Sequence, residues 1–227
     1  MHPSGDGPIT VVLLSPAPVP GRVLTGLIGP LRPAEAAGIH SRLLACTMSR
    51  LARLLPATEG HRHILAIAGL EQALEHLKLP RTCGDWQWLD QGGGSLGQRL
   101  EGLWSAMPHA PVAFIQSGHV DLPAESLAQL PARLDTADLL LGPDGGGGLW
   151  LIGGPRCPRR WLRAIDWQDA NVYHQAVGRA RALGHCVATL PPCPAVMRYA
   201  DLRALQRRLA DADDADLLGL SRALARG

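Results

Sequence analysis

Short, wholly apolar runs alternate along this chain with longer stretches in which apolar residues recur every three or four positions. Residues 9–14 (ITVVLL), 63–68 (HILAIA), 111–116 (PVAFIQ) and 149–152 (LWLI) are of the first kind. Runs of this length without polar alternation predict strands buried on both faces. Weaker strand patterns occupy 86–89, 138–141 and 186–190. Over residues 33–55, Ile39, Leu43, Leu44, Met48, Leu51 and Leu54 share one helical face. Further helices are expected over 70–79, 124–134 and 167–183, and from Ser95, a fitting N-cap, to 107. Residues 199–225 read as a polar-faced helix or helical pair. The alternation predicts an α/β fold, a mostly parallel sheet flanked by helices. With no internal repeat or long linker, residues 1–227 are expected to form a single domain, 1–7 being a disordered start.

Ligands of such sheets bind beyond the carboxyl ends of the strands, where the chain changes direction across the sheet. Three loops therefore matter: 15–27 after the first strand, 117–122 after PVAFIQ, and 143–148. The first, SPAPVPGRV, has too much proline and glycine for regular structure. The third holds four consecutive glycines, 145–148, a composition that invites comparison with phosphate cradles. A P-loop would add Gly-Lys-Ser/Thr and run into a helix, whereas this run enters an apolar strand. Because ordering four glycines is entropically costly, a mobile loop that orders around a ligand, or never, is expected.

Composition narrows the function classes. At 46 % hydrophobic, 19 % charged and net +2 over 227 residues, the chain has no field to attract nucleic acid or an acidic membrane. No segment approaches the roughly 20 apolar residues of a spanning helix, and the start lacks a basic signal-peptide region. Five cysteines without a C-x-x-C pair argue against a disulfide framework or a structural zinc site. A cytoplasmic protein is expected, and the excess of arginine over lysine suits a GC-rich bacterial gene.

The loops carry a family pattern. Pro18, Pro20, Gly21, Val23, Thr25 and Leu27 match a proline-glycine motif after strand one; Gly94, Leu96, Gly97 and Arg99 match a Gly-Asp-Leu-Gly-x-Arg motif. Asp121 and Leu122 close the loop after PVAFIQ, and GPDGGGGLWLIG (142–153) aligns without gaps on Gly-Pro-x-x-Asp-Gly-Gly-Tyr-Tyr-Leu-Ile-Gly. Residues 166–169 echo Pro-Trp-Ser-Thr, and LPPCPAVMRYADLRAL echoes the family's late Leu-Pro-Pro…Asp-Val-Asp segment. In these motifs the chain resembles the bacterial glycosyltransferase-A-like (GT-A) proteins known as radical-SAM/selenodomain-associated transferases, of the nucleotide-diphospho-sugar transferase superfamily. That resemblance implies a Rossmann-like GT-A fold. It further implies a nucleotide sugar in the cleft with Mg²⁺ or Mn²⁺, and contacts from Pro20, Gly21, Arg22, Thr25, Gly94, Gly97 and Arg99.

The same comparison shows which residue types have changed. Family cations of the first loop fall on Pro16, Leu24 and Gly26, and family aspartates fall on Gly118 and Gly146. The late Asp-Val-Asp reads Ala195-Val196-Met197. Turn and core residues remain while charge is replaced, and neither glycine nor leucine can ligate a metal or neutralise a phosphate. Three readings follow. The first is a degenerate homologue without a cofactor, acting as a binding or regulatory module through a small metabolite, a protein partner or its own oligomer. The second is an active glycosyl- or nucleotidyltransferase rebuilt on His119 and Asp121, with Asp144 as third metal ligand. The third is a metal-independent enzyme acting on a neutral molecule. Asp121 can equally be a turn or capping residue, and His119 a loop side chain. His61 with His63 and Gln72 with His76 lack a third ligand, Trp86, Trp88, Trp150 and Trp167 suit core or cleft walls, and the acidic 211–216 stretch reads as solvated.

Overall fold

The computed structural model describes residues 7–77, 79, 83–107 and 110–225; all but Gly7 of the expected disordered start lies outside them. The first half contains β1 (Thr10–Pro16), α1 (Pro33–Leu54), β2 (Arg62–Ala68), α2 (Leu70–His76), β3 (Gln87–Asp90), α3 (Leu96–Ser105) and β4 (Val112–Gln116). The second contains α4 (Ala124–Ala128), α5 (Leu130–Thr136), β5 (Leu139–Pro143), β6 (Leu149–Gly154), α6 (Arg159–Ala164), α7 (Val172–Ala182), β7 (Val187–Thr189), α8 (Tyr199–Ala210) and α9 (Ala215–Ala225).

Among the described residues the strands form one sheet in the order β3-β2-β1-β4-β6-β5-β7. Only β6 runs against its neighbours, β4 and β5; the other pairings are parallel. The sheet is thus mostly parallel and helix-flanked, as the alternation predicts. Both faces of β1 are covered, which is why its run has no polar alternation. Val11 and Leu13 pack with Leu44, Met48 and Leu51 of α1. Val12 and Leu14 pack with Leu100 and Trp104 of α3 and Trp161 of α6.

Two expected helices differ in extent. The 124–134 helix is broken at Gln129, because Pro131 in the first turn of α5 has no amide to continue α4. The 167–183 helix begins only at Val172: the carboxylates of Asp166 and Asp169 accept from the amides of Gln168 and Asn171, fixing turns instead.

A third apolar cluster sets the position of the loops. Leu202, Leu205 and Leu209 of α8 and Leu217, Leu220 and Leu224 of α9 pack on Leu43 and Cys46 of α1. Leu27, Val120 and Val196 join them, one residue from each of three connecting loops. The chain leaves β1 for β2 and β3 on one side, then returns to lay β4 on the other. The carboxyl ends of β1 and β4 therefore flank a topological switch point, the usual place for a ligand in such sheets.

Candidate functional site

A cavity of about 340 Å³ opens at that switch point. Its walls come from Leu14 and Pro16 of β1, residues 22–26, His40 of α1, residues 116–119 after β4, and Ala195 and Met197. Each of the three loops sends one side chain, Leu27, Val120 or Val196, into the third cluster and presents neighbouring residues to the cavity. The Val196 amide donates to the Gly118 carbonyl at 2.9 Å, and Gly26 bridges to Arg198, so the loops are tied directly to each other. A Cβ at Gly26 would strike the Met197 carbonyl oxygen. Leu24, with φ of 46°, is held in the left-handed region that a leucine rarely adopts, and it does so in the cavity wall.

Six of the positions that the family resemblance gives to charge converge here; Gly146 lies outside, beside Asp144. Pro16, Leu24, Gly26, Gly118, Ala195 and Met197 all line this one cavity. Among its described lining residues Arg22, at the exposed edge, carries the sole full charge. At Gly118 a Cβ would meet nothing within 4 Å, so there is room for a side chain that the sequence does not supply.

Burial disfavours the charged form of both lining histidines. His40 Nε2 lies 3.0 Å from Ser15 Oγ, whose own proton goes to the Pro16 carbonyl. Nε2 is therefore the donor, and Nδ1 is a bare acceptor, buried without a partner. Burial pushes the His40 pKa down to about 4, against a smaller opposing pull from the Pro16 carbonyl. His119 donates from Nδ1 to the Cys193 carbonyl at 2.8 Å. Burial lowers its pKa too, opposed by the Cys193 carbonyl and by the charge of Asp144.

The three candidate metal ligands are not assembled. Asp121 pairs with Arg208, Oδ2 to Nε at 3.1 Å. Asp144 Oδ1 accepts the amides of Gly146 at 2.7 Å and Gly148 at 2.8 Å. His119 is committed to Cys193. Among the described residues no group of three His, Cys, Asp or Glu side chains could hold a metal ion. With no carboxylate in the cavity wall, the donor set does not fit Mg²⁺ or Mn²⁺. The same bonds correct the expectation of a mobile glycine loop: Asp144 ties it from within, and the Gly147 carbonyl accepts from the Tyr173 amide at 2.8 Å.

The remaining candidates divide between two places. Arg22 and Thr25 line the cavity with His119, just after the turn at Gly21, whose φ is 81°. Gly94, Gly97 and Arg99 lie across β1. Ser95 caps α3 as expected, in a reciprocal pair with Gln98, and Gly94 precedes it with φ of 91°. Gly97 is a packing residue: a Cβ there would strike Trp167 Nε1 and lie 2.9 Å from the Leu162 carbonyl. Arg99 Nη1 donates to Gln91 Oε1 at 2.7 Å, and Gln91 Nε2 donates to the carbonyls of Ser15 and Ala66. Arg99 thus braces the ends of β1 and β2.

Other candidates are structural. His61 Nδ1 accepts the Ile9 amide, and the His63 ring lies 4.9 Å from that of Trp86. The 211–216 stretch, expected to be solvated, contains Asp214, which pairs with Arg50 and Arg53. Sequence reasoning overlooked His40 and Ser117. His40 stands on the buried stripe of α1 beside Ala36, Ala37, Leu43 and Leu44, and a polar residue on such a stripe was the available signal.

The fold is similar to that of a protein from Desulfovibrio desulfuricans G20 assigned as a nucleotide-diphospho-sugar transferase. Identity is 23 %, coverage 97 % of this chain and 98 % of that one, and the TM-score 0.80. It is also similar to the bifunctional IspDF of Campylobacter jejuni, with 11 % identity, 86 % and 53 % coverage and a TM-score of 0.55. A third likeness is to CMP:2-keto-3-deoxy-manno-octonic acid synthetase complexed with CTP, with 11 % identity, 88 % and 98 % coverage and a TM-score of 0.53. At these identities the likeness carries the fold, that of nucleotide-diphospho-sugar transferases and nucleotidyltransferases. No protein of curated function matches the sequence. The family described as "Uncharacterized protein conserved in bacteria (DUF2064)" matches residues 50–169, more than half of the chain, and this chain belongs to that family.

Proposed function

We propose that this chain keeps the transferase-type cleft as a binding or partner-regulating module without metal-dependent diphosphate chemistry. One observation carries the reading: six of the positions where charge would be expected, all but Gly146, meet in a single cavity where Arg22 is the only full charge among the described lining residues. A diphosphate with its cation needs several compensating charges, and preorganised charge is often among the largest contributions to phosphate catalysis. Here the wall offers leucine, proline, glycine, alanine and methionine at those positions. The reading treats residues 1–227 as one cytoplasmic domain. Its test is a thermal-shift titration of the full chain with Mg²⁺ or Mn²⁺ and a set of nucleotides and nucleotide sugars. No metal-dependent shift is expected, and a reproducible one overturns the reading.

The alternative is an active transferase built on His119, Asp121, Asp144, Arg22 and Arg99. The charge of Asp144, which reaches the His119 ring, favours it. Turnover of an activated sugar that disappears in His119→Ala and Asp121→Ala would establish it. The third reading, a metal-independent enzyme on a neutral molecule, draws on the same uncharged wall.

A further inference from the structure

The floor of the cavity is polar although its walls are not. Gln116 donates through Nε2 to the Leu149 carbonyl at 2.8 Å, which leaves Oε1 as an acceptor. Ser117, almost fully buried, is a lining residue and contributes a hydroxyl side chain. His119, with its proton on Nδ1 toward the Cys193 carbonyl, has Nε2 as its acceptor nitrogen in the neutral form. His40 adds a second imidazole whose Nδ1 is unpartnered in a side chain only 2 % exposed. Pro16, Leu24 and Met197 supply the apolar wall.

We propose that this cavity binds a small uncharged polyhydroxylated molecule, a polyol or a sugar-like ring. Its O–H groups donate to His119 Nε2 and Gln116 Oε1, Ser117 donates back, and the carbon skeleton lies on Leu24 and Pro16. The inference rests on the reading above that the cleft takes no diphosphate. A buried ion would find no full charge among the described lining residues beyond Arg22, which stands in solvent and offers a weak, screened interaction. A hydrocarbon would leave the floor acceptors unpaired and desolvated, which disfavours it. A volume of about 340 Å³ lies at the small end of the range for ligand pockets. A donor-rich neutral ligand is the class that satisfies floor and walls together.

The test uses the full chain and saturation-transfer NMR, with glycerol, myo-inositol and methyl glucoside as neutral probes. Pyrophosphate and CDP, each with and without Mn²⁺, serve as charged probes. The neutral probes are expected to receive saturation and to shift the His119 side-chain nitrogen resonances in the wild type. Gly118→Leu, which fills open space beside the floor, should abolish the effect, and His119→Phe should weaken it at least tenfold. The His119 resonance shift in the wild type remains decisive if either variant folds poorly. Failure of every neutral probe, or binding that survives Gly118→Leu, overturns the proposal. If charged probes are also silent, the proposal alone falls and the reading of absent diphosphate chemistry stands. If Mn²⁺ with CDP binds in the cavity, both fall.

Discussion

Arg50 and Asp214 meet at 3.1 Å, and through that contact the C-terminal helix α9 holds the loop that floors the cleft. The same guanidinium donates to the carbonyls of Val120 at 2.8 Å and Leu122 at 3.1 Å, on either side of Asp121. Asp214 meanwhile accepts the amides of Asp216 and Leu217 at the start of α9. One buried cation therefore joins α1, the loop after β4 and the C-terminal helix. Arg50→Met keeps much of the side chain's bulk but strands two buried carbonyls and leaves Asp214 with Arg53 as its remaining cation. A loss of about 3 kcal/mol in denaturant unfolding is expected, the scale for breaking a buried charged network. A loss under about 1 kcal/mol would mean the clamp is dispensable.

Stability should fall in two steps on acidification, through different groups. His40, with a folded-state pKa of about 4 against an ordinary value near 6.5, binds its proton more weakly folded than unfolded. Its contribution is complete above about pH 6.5 and is lost as pH falls toward 4, a change of roughly 3 kcal/mol. His119, shifted in the same direction, adds to this window. In Asp214 burial raises the pKa, but hydrogen bonds and charge from Arg53 and Arg50 outweigh it and the net shift is downward. Its contribution is present above the ordinary carboxylate pKa near 4 and is lost as pH falls through the folded value. Melting temperatures of His40→Leu should therefore be flatter between pH 6.5 and 4, and those of Asp214→Asn flatter only below about 4. Superimposable curves for wild type and both variants would refute the assignment.

The parts of the fold legible in sequence were those where one local rule decides. The unbroken apolar runs of β1, β2 and β4 follow from burial on both faces, and Ser95 with Gln98 announces α3 through its cap. Strand direction is not a local property, so the antiparallel course of β6 left no mark on LWLI. The glycine run read as mobile because its composition was weighed without Asp144, whose carboxylate closes the turn from one residue before the run. The cleft was half legible. Two of the three expected loops, 15–27 and 117–122, line the cavity; 143–148 does not, Ala195 and Met197 take its place, and His40 enters from a helix whose pattern spoke only of packing. Asp214 looked solvated because its partners, Arg50 and Arg53, lie more than 160 residues away in the chain.

Two glycines should respond oppositely to alanine. At Gly97 a methyl group would strike the Trp167 indole and crowd the Leu162 carbonyl, prising α3 from α6. Overpacking of this kind costs about 1–3 kcal/mol, so Gly97→Ala should lower the melting temperature clearly. At Gly118 nothing lies within 4 Å, and Gly118→Ala should leave stability within about 0.5 kcal/mol. Equal responses would show that Gly97 is not held by packing.

Thiol reactivity should separate the cysteines by burial. Cys46 and Cys193 are buried, and burial pushes both thiols up to about 12, so almost no thiolate forms at neutral pH. Cys83 is buried and shifted in the same direction. Cys186 is exposed. Iodoacetamide under native conditions should label Cys186 first, with Cys46, Cys83 and Cys193 reacting only after unfolding. Early modification of Cys193, read by peptide mass spectrometry, would mean the loop behind His119 opens far more readily than its hydrogen bonds suggest.

The neutrality of the cleft can be reversed by design, which tests it more directly than any deletion. Gly118 has open space for a side chain, and at Gly146 a Cβ would come no nearer than 3.6 Å to another atom, the Asp144 carboxylate. Neither backbone lies in the left-handed region, so aspartate is conformationally admissible at both. Hard divalent cations take carboxylate oxygens, and these are two of the positions where the family resemblance expects them, with Ala195 and Met197 the others. Gly118→Asp combined with Gly146→Asp should fold and acquire an Mn²⁺-dependent stabilisation in the presence of a nucleoside diphosphate. At a free metal concentration 100 times the dissociation constant this would reach about 2.7 kcal/mol. The wild type should show no such shift under the same conditions. An equal shift in the wild type would mean that the chain already gathers a metal site that its resting side-chain pairings conceal. No shift in the double variant would mean that charge is not what this cleft lacks, since two carboxylates at the right strand ends had failed to restore binding.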